Sequence, residues 1–134
     1  MTKHSGLGRC ELIAFVTIVD VERAKAFYRD TLGLRLVSEQ LPFALELDAN
    51  GTMLRLAIAK QVTPAQGTVL GWGVPNITAT VKELNQAGVA FERFEGMTQD
   101  ALGIWASPSG AKVAWFKDPD GNLLSVTEFP GSNL

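Results

Sequence analysis

Side chains able to do chemistry are sparse in this chain of 134 residues. It holds one histidine, His4, and one cysteine, Cys10. A Ser-His-Asp nucleophile has no histidine to use beyond His4, which has no evident partner. A Cys-His nucleophile would have to join Cys10 to His4 across an N-terminal segment with little to hold it, and an isolated thiol is the simpler reading. Glu46, Glu95, Asp100 and Glu128 are carboxylates from which an acid-base pair could be drawn, and their spacing singles out none. No glycine-rich loop carries the lysine that would cradle a phosphate; Gly6-Leu7-Gly8 is an isolated element of the N-terminal tail.

Composition narrows the classes. Hydrophobic residues make up 46% and charged residues 19%, a globular balance rather than a disordered one. A formal net charge of -2 leaves no basic footprint, which argues against nucleic acid as a partner. No apolar run is long enough to span a membrane, and Met1 to Arg9 lacks the apolar core of a signal peptide. One cysteine, unable to form an internal disulfide, fits a reducing compartment, and the expected location is the cytoplasm.

The elements that must position any site occur as two copies of one plan. Ile13 to Val19 is β-rich, and Asp20 stands at a helix N-cap. Val21, Ala24, Phe27, Tyr28 and Leu32 follow at near-helical spacing, with Gly33 as the stop. Leu34 to Gln40, Phe43 to Asp48 and Thr52 to Ala59 read as strands, the last two joined by a hairpin signal at Asp48-Ala49-Asn50-Gly51. The order then repeats. Gly67 to Val74 is a strand, and Pro75-Asn76 caps a helix with Ile77, Val81 and Leu84 on one face and Gly88 at its end. Val89 to Phe94 is a strand, and the irregular connection Glu95 to Gly110 follows. It holds Met97, Gln99, Asp100, Ile104 and Trp105, and connections of this length often serve as lids. Ala111 to Phe116 and Leu123 to Phe129 are strands joined by Asp118-Pro119-Asp120-Gly121-Asn122, where Pro119 suits a type I turn and Gly121 the left-handed closing position. The expected organisation is a tail at 1–11, a first module at 12–60, a linker at 61–66 and a second module at 67–130, packed as one domain. The class is α+β, two βαβββ modules with mainly antiparallel strands.

This order, with the stretch from Asp20 to Leu34 and the Asp118-Pro119-Asp120-Gly121-Asn122 turn, resembles the vicinal oxygen chelate superfamily. That group includes glyoxalase I, the bleomycin-resistance proteins, fosfomycin-resistance enzymes and extradiol dioxygenases. The resemblance covers about Leu12 to Phe129 and implies two modules folded into a cleft. The motif residues themselves build scaffold: helix packing, a helix stop and a hairpin.

In the metal-dependent members, four side chains on the inner face hold a divalent ion that chelates vicinal oxygens of the substrate. Carried onto this sequence, the first-strand position is Ile13, seven residues before Asp20. The last strand of the first module contributes Arg55, the first strand of the second module Val69, and the last strand Ser125, four residues after Gly121. Isoleucine and valine have no lone pairs, and arginine stays protonated. A guanidinium about 4 Å from a divalent ion costs roughly 8 kcal/mol at an effective dielectric of 20. Serine is a poor ligand for zinc or iron. A one-residue slip of the alignment brings in Leu12 or Ala14, Leu54 or Leu56, Thr68 or Leu70, and Leu124 or Val126, which restore no ligand set; a two-residue slip recovers only Glu11. No metal and no cofactor are therefore expected.

Strand alternation places Ile13, Phe15, Thr17, Met53, Arg55, Ala57, Val69, Gly71, Gly73, Leu123, Ser125 and Thr127 on the inner face. Ala14, Val16, Ile18, Leu70, Trp72, Val74, Leu124 and Val126 then face the helices. The inner surface suits a small organic molecule with an apolar body. The expected ligand-binding residues are Phe15, Met53, Arg55, Val69, Trp105, Trp115, Leu123 and Ser125. Arg55 is either a polar anchor for an anionic or carbonyl group or the partner of an acidic neighbour such as Glu46. Trp105 and Trp115 are either flat ligand walls or core. The expectation is a metal-free member that binds a small organic molecule. The alternatives are a metal-dependent lyase, isomerase or dioxygenase using unplaced ligands such as Glu11, Glu46 or Glu128, and a dimeric scaffold without ligand. The resemblance also implies a homodimer.

Overall fold

A computed structural model describes residues 6–131. The chain divides into two compact units, Met1–Val62 and Thr63–Leu134. Each is built on a four-stranded mixed sheet, and the class is α+β.

In the first unit a short 3-10 turn at Gly6–Arg9 precedes β1 (Ile13–Ile18). Asp20 caps the following helix by accepting a hydrogen bond from the Arg23 amide at 3.0 Å. That helix is not one regular α-helix. Four α-helical residues, α1 (Val21–Ala24), run into a wider π-helical segment, Lys25–Thr31. Leu32 N–H accordingly donates to the Phe27 carbonyl five residues back. Over so short a segment the apolar spacing does not separate the two windings. Tyr28 is fully buried, as its spacing with Ala24 predicts. Gly33, at φ 82°, ends the helix.

Three strands follow: β2 (Arg35–Gln40), β3 (Ala44–Ala49) and β4 (Thr52–Ile58). Asn50 and Gly51 both take positive φ, at 53° and 96°, which is the two-residue hairpin whose twist matches its strands. The sheet order is β1-β4-β3-β2, antiparallel except that β1 runs parallel to β4. Alternation sorts the side chains as expected. Val16, Ile18, Leu45, Leu47, Leu54 and Leu56 are buried on one face, each fully buried aliphatic chain contributing about 1.5–3 kcal/mol. The other face carries Ile13, Phe15, Met53 and Arg55, in the register Ile13 opposite Met53 and Phe15 opposite Arg55.

The second unit holds β5 (Leu70–Gly73), shorter than the expected Gly67 to Val74 and paired in parallel with β8 (Leu123–Glu128). Asn76 caps α2 (Ile77–Gln86) through the Ala79 amide at 3.1 Å, and Gly88 stops it. Glu128 on β8 accepts from the Ile77 amide at 2.9 Å and so ties the last strand to the helix start.

The expected strand Val89 to Phe94 does not form. Phe91 makes a single bridge to Phe116, the Glu92 amide donates to the Trp115 carbonyl at 2.8 Å, and the chain then leaves the sheet. It returns within the stretch expected to be irregular, as β6 (Trp105–Ala106), which takes the remaining edge of β7 (Lys112–Lys117). One edge of β7 is therefore shared by two short pieces with residues 93–104 inserted between them. The inserted loop satisfies its own backbone through Gln99. Its side chain accepts from the Phe94 amide at 2.9 Å and donates to the Glu92 and Gly103 carbonyls at 3.0 and 2.8 Å. Asp100 Oδ1 also accepts from the Leu102 and Ile104 amides. A loop pinned in this way is a built part of the sheet edge rather than a free strap.

The β7–β8 hairpin closes as its sequence predicts. Gly121 takes φ 87°. Buried Asp118 accepts from the amides of Asp120 and Asn122 at 2.9 Å through Oδ1, and from Asn122 Nδ2 at 2.8 Å through Oδ2. Burying a carboxylate is costly unless donors surround it, and here they do. The motif is scaffold.

Candidate functional site

Each unit presents one sheet face that is not covered by its helix. On the first, Phe15 is 61% exposed, and Ile13 and Met53 are also exposed. Arg55 lies in the row of Phe15 and Glu46. Its Nη1 donates to Glu46 Oε2, so the pairing left open at the sequence level is the one formed. A guanidinium has five N–H donors, and Glu46 is the one partner of the Arg55 side chain among the described residues. A neighbouring row sets Asp48 beside Arg35, at 3.7 Å. Glu11, Arg35, Val37, Glu46, Asp48 and Met53 line an open pocket of about 160 Å³.

The second face is aromatic and uncharged at its centre. Gly71, Ser125 and Trp115 are cross-strand neighbours on β5, β8 and β7. Trp115 meets Trp105 with ring centroids 6.1 Å apart and Phe94 edge to face at 5.4 Å. The Trp115 indole N–H donates to Thr68 Oγ1 at 3.2 Å. Val69 is exposed, Leu123 half-buried, and Ser125 buried. A second pocket in this unit, about 300 Å³, is lined by Thr78, Thr98, Gln99, Asp100, Ile104 and Lys112, none of them a predicted ligand residue.

Within the first unit, then, the structure brings Phe15, Met53 and Arg55 onto one face. Within the second it brings together Trp105, Trp115 and Ser125, with Leu123 two residues from Ser125 on β8. Phe94 and Thr68 belong to the second group and escaped the sequence reading. No pattern marks Phe94, because it sits where the expected strand fails. The Trp115–Ser125 pairing was within reach, since the 118–122 turn dictates the register of the hairpin it closes.

The positions expected to hold a divalent metal do not fit one. Ile13 and Val69 offer hydrocarbon, Arg55 offers a cation already bonded to a carboxylate, and Ser125 offers one hydroxyl. Of the carboxylates near these positions Glu11 is exposed and lines the open pocket, and the others are committed. Glu46 bonds to Arg55, Asp48 lies beside Arg35 and accepts from the Gly51 amide, and Glu128 caps α2. Among the described residues no group of three or more His, Cys, Asp or Glu could hold a metal ion. His4 lies outside the described residues. Cys10 is exposed, with its sulfur 3.6 Å from the Gly6 carbonyl. No helix among the described residues is long and apolar enough to cross a membrane.

Comparison with known proteins agrees with this architecture. The family model described as Glyoxalase/Bleomycin resistance protein/Dioxygenase superfamily matches residues 7–126. A glyoxalase family protein from Bacillus anthracis superposes with a TM-score of 0.72 at 16% identity, covering 97% of this chain and 100% of its own. A member of the superfamily from Sphaerobacter thermophilus reaches 0.68 at 26% identity, covering 88% and 95%. A lactoylglutathione lyase from Agrobacterium tumefaciens reaches 0.65 at 21% identity, covering 90% and 93%, a likeness of fold. No curated protein matches the chain significantly in sequence.

Proposed function

Because the chain belongs to the glyoxalase/bleomycin resistance protein/dioxygenase superfamily, we propose that it binds a small organic molecule on an open sheet face of this kind and does so without a divalent metal. One observation carries the reading. The four positions at which the resemblance implies metal ligands hold Ile13, Arg55, Val69 and Ser125, on faces that otherwise carry exposed Phe15 and Met53 in the first unit and a half-buried tryptophan pair in the second. A surface of this kind gains from burying an apolar ligand and has few polar groups to satisfy. Arg55 keeps donors beyond the one given to Glu46, so a carbonyl or carboxylate on the ligand can share it. On the first unit's face Phe15 and Met53 offer apolar contact; on the second unit's face Val69, Leu123, Trp105 and Trp115 do.

The chain's three tryptophans provide the signal for a test. Titration with a panel of small organic compounds, followed by intrinsic fluorescence, should give saturable binding to the dialysed, chelator-treated protein. A panel without a saturating response defeats the reading. Binding that appears only when a metal is restored would favour a metal-dependent lyase, isomerase or dioxygenase instead. The same proposal includes a homodimer, the association the resemblance implies, which sedimentation equilibrium decides.

A further inference from the structure

Ser125 is a buried hydroxyl without a partner. It is 8% exposed, and no side chain or backbone group among the described residues hydrogen-bonds to its Oγ. Such groups are rare in folded proteins, since an unmade hydrogen bond at a buried site is costly. The hydroxyl leans over Gly71 on the adjacent strand. A β-carbon built at residue 71 would stand 2.7 Å from Ser125 Oγ, closer than such atoms approach. Glycine is therefore required there if the hydroxyl is to keep its place. Gly71 itself is exposed, so the space above its backbone is open. On the other side of Ser125 stands Trp115, whose indole N–H is already used by Thr68.

We propose that the Gly71–Ser125–Trp115 row is a subsite for a neutral, planar ring bearing one oxygen, such as a phenol or a cyclic amide. This rests on the small-molecule reading above and narrows it to a ligand class. Planarity follows from the bare backbone at Gly71 and from the Trp115 and Trp105 rings, which favour offset contact with another π-system. Neutrality follows from the row itself, which carries no charge. The nearest cation along β7 is Lys117, opposite Leu123, and Lys117 lies 3.8 Å from Glu92. The oxygen is specified by Ser125, which can donate to a carbonyl or accept from a hydroxyl.

The test uses two matched probes, 2-naphthol and naphthalene, and ligand-observed NMR on the intact chain. The wild type should hold 2-naphthol about three- to tenfold more tightly than naphthalene, the worth of one hydrogen bond. Ser125→Ala should remove that preference, with naphthalene held at least as tightly as by the wild type. Gly71→Ala should weaken both probes, because the new methyl occupies the open space and displaces the hydroxyl. Thermal melting of each variant verifies folding, and the Ser125→Ala arm stands alone should Gly71→Ala not fold. Equal affinities in the wild type, or a preference that survives Ser125→Ala, overturn the subsite and leave the broader binding proposal standing. A wild type that binds neither probe overturns the subsite too, and the compound panel then decides the broader proposal separately.

Discussion

Arg55 and Glu46 stand opposite each other on β4 and β3, and the guanidinium Nη1 donates to the carboxylate Oε2. The two side chains are 30% and 18% exposed. The pair sits beside Phe15 on the open face and neutralises the one cation at a position that relatives are expected to give to a metal ligand.

Removing one partner should therefore hurt more than removing both. Arg55→Met leaves a mostly buried carboxylate alone and should cost about 1–3 kcal/mol. The double variant Arg55→Met with Glu46→Leu should regain most of that loss, since an apolar pair needs no desolvation of charge. Urea unfolding of the four proteins of the cycle measures the coupling. Simple additivity of the two single changes would mean that the ion pair contributes nothing.

Ser125→Ala is expected to stabilise the protein. Deleting a buried hydroxyl that has no partner among the described residues removes a desolvation cost of about 1 kcal/mol. The melting temperature should rise by about 3 °C for a chain of this size. A fall of similar size would show that the hydroxyl serves the fold rather than a ligand. Stability gained together with binding lost is the pattern expected of a site residue.

Gln99 should be the pin of the inserted loop. Gln99→Ala orphans the Phe94 amide and the Glu92 and Gly103 carbonyls, and about 2 kcal/mol of local stability should go with them. The effect should be local, with faster hydrogen exchange at Phe94 and across 93–104, and altered fluorescence from Trp105, which follows the loop directly. Protection lost equally from β3 and β4 would instead mark a global effect.

Added zinc, nickel, manganese or iron should not change thermal stability. An ion bound only by the folded chain and supplied at a hundredfold excess over its dissociation constant would add about 2.7 kcal/mol. A melting temperature that climbs with metal concentration and returns with chelator would restore the metal-dependent reading.

Most of the fold was legible because its signals act within one element or one ladder. The Asn50-Gly51 and Asp118 to Asn122 turns are short, so each sets the register of its hairpin. Alternation then assigns Leu54 and Leu56 to one face, and Met53 and Arg55 to the other. The strand expected at Val89 to Phe94 failed for the opposite reason. Its pattern suits an edge strand, but the edge of β7 is completed by Trp105 and Ala106, which lie beyond an insertion that no local pattern marks.

The candidate site divides along the same line. The amino-acid sequence alone established that Ile13, Val69 and Arg55 are not metal ligands, because that depends on their atoms and not on their surroundings. It also established which residues share a face, because the pleat has a period of two. Only the tertiary structure decided what the remaining polar groups do. Arg55 found Glu46, Glu128 found the start of α2, and the Ser125 hydroxyl found no partner among the described residues. Those outcomes depend on the reach and rotamer of side chains that meet across strands and helices, and a chain read along its length carries no record of either.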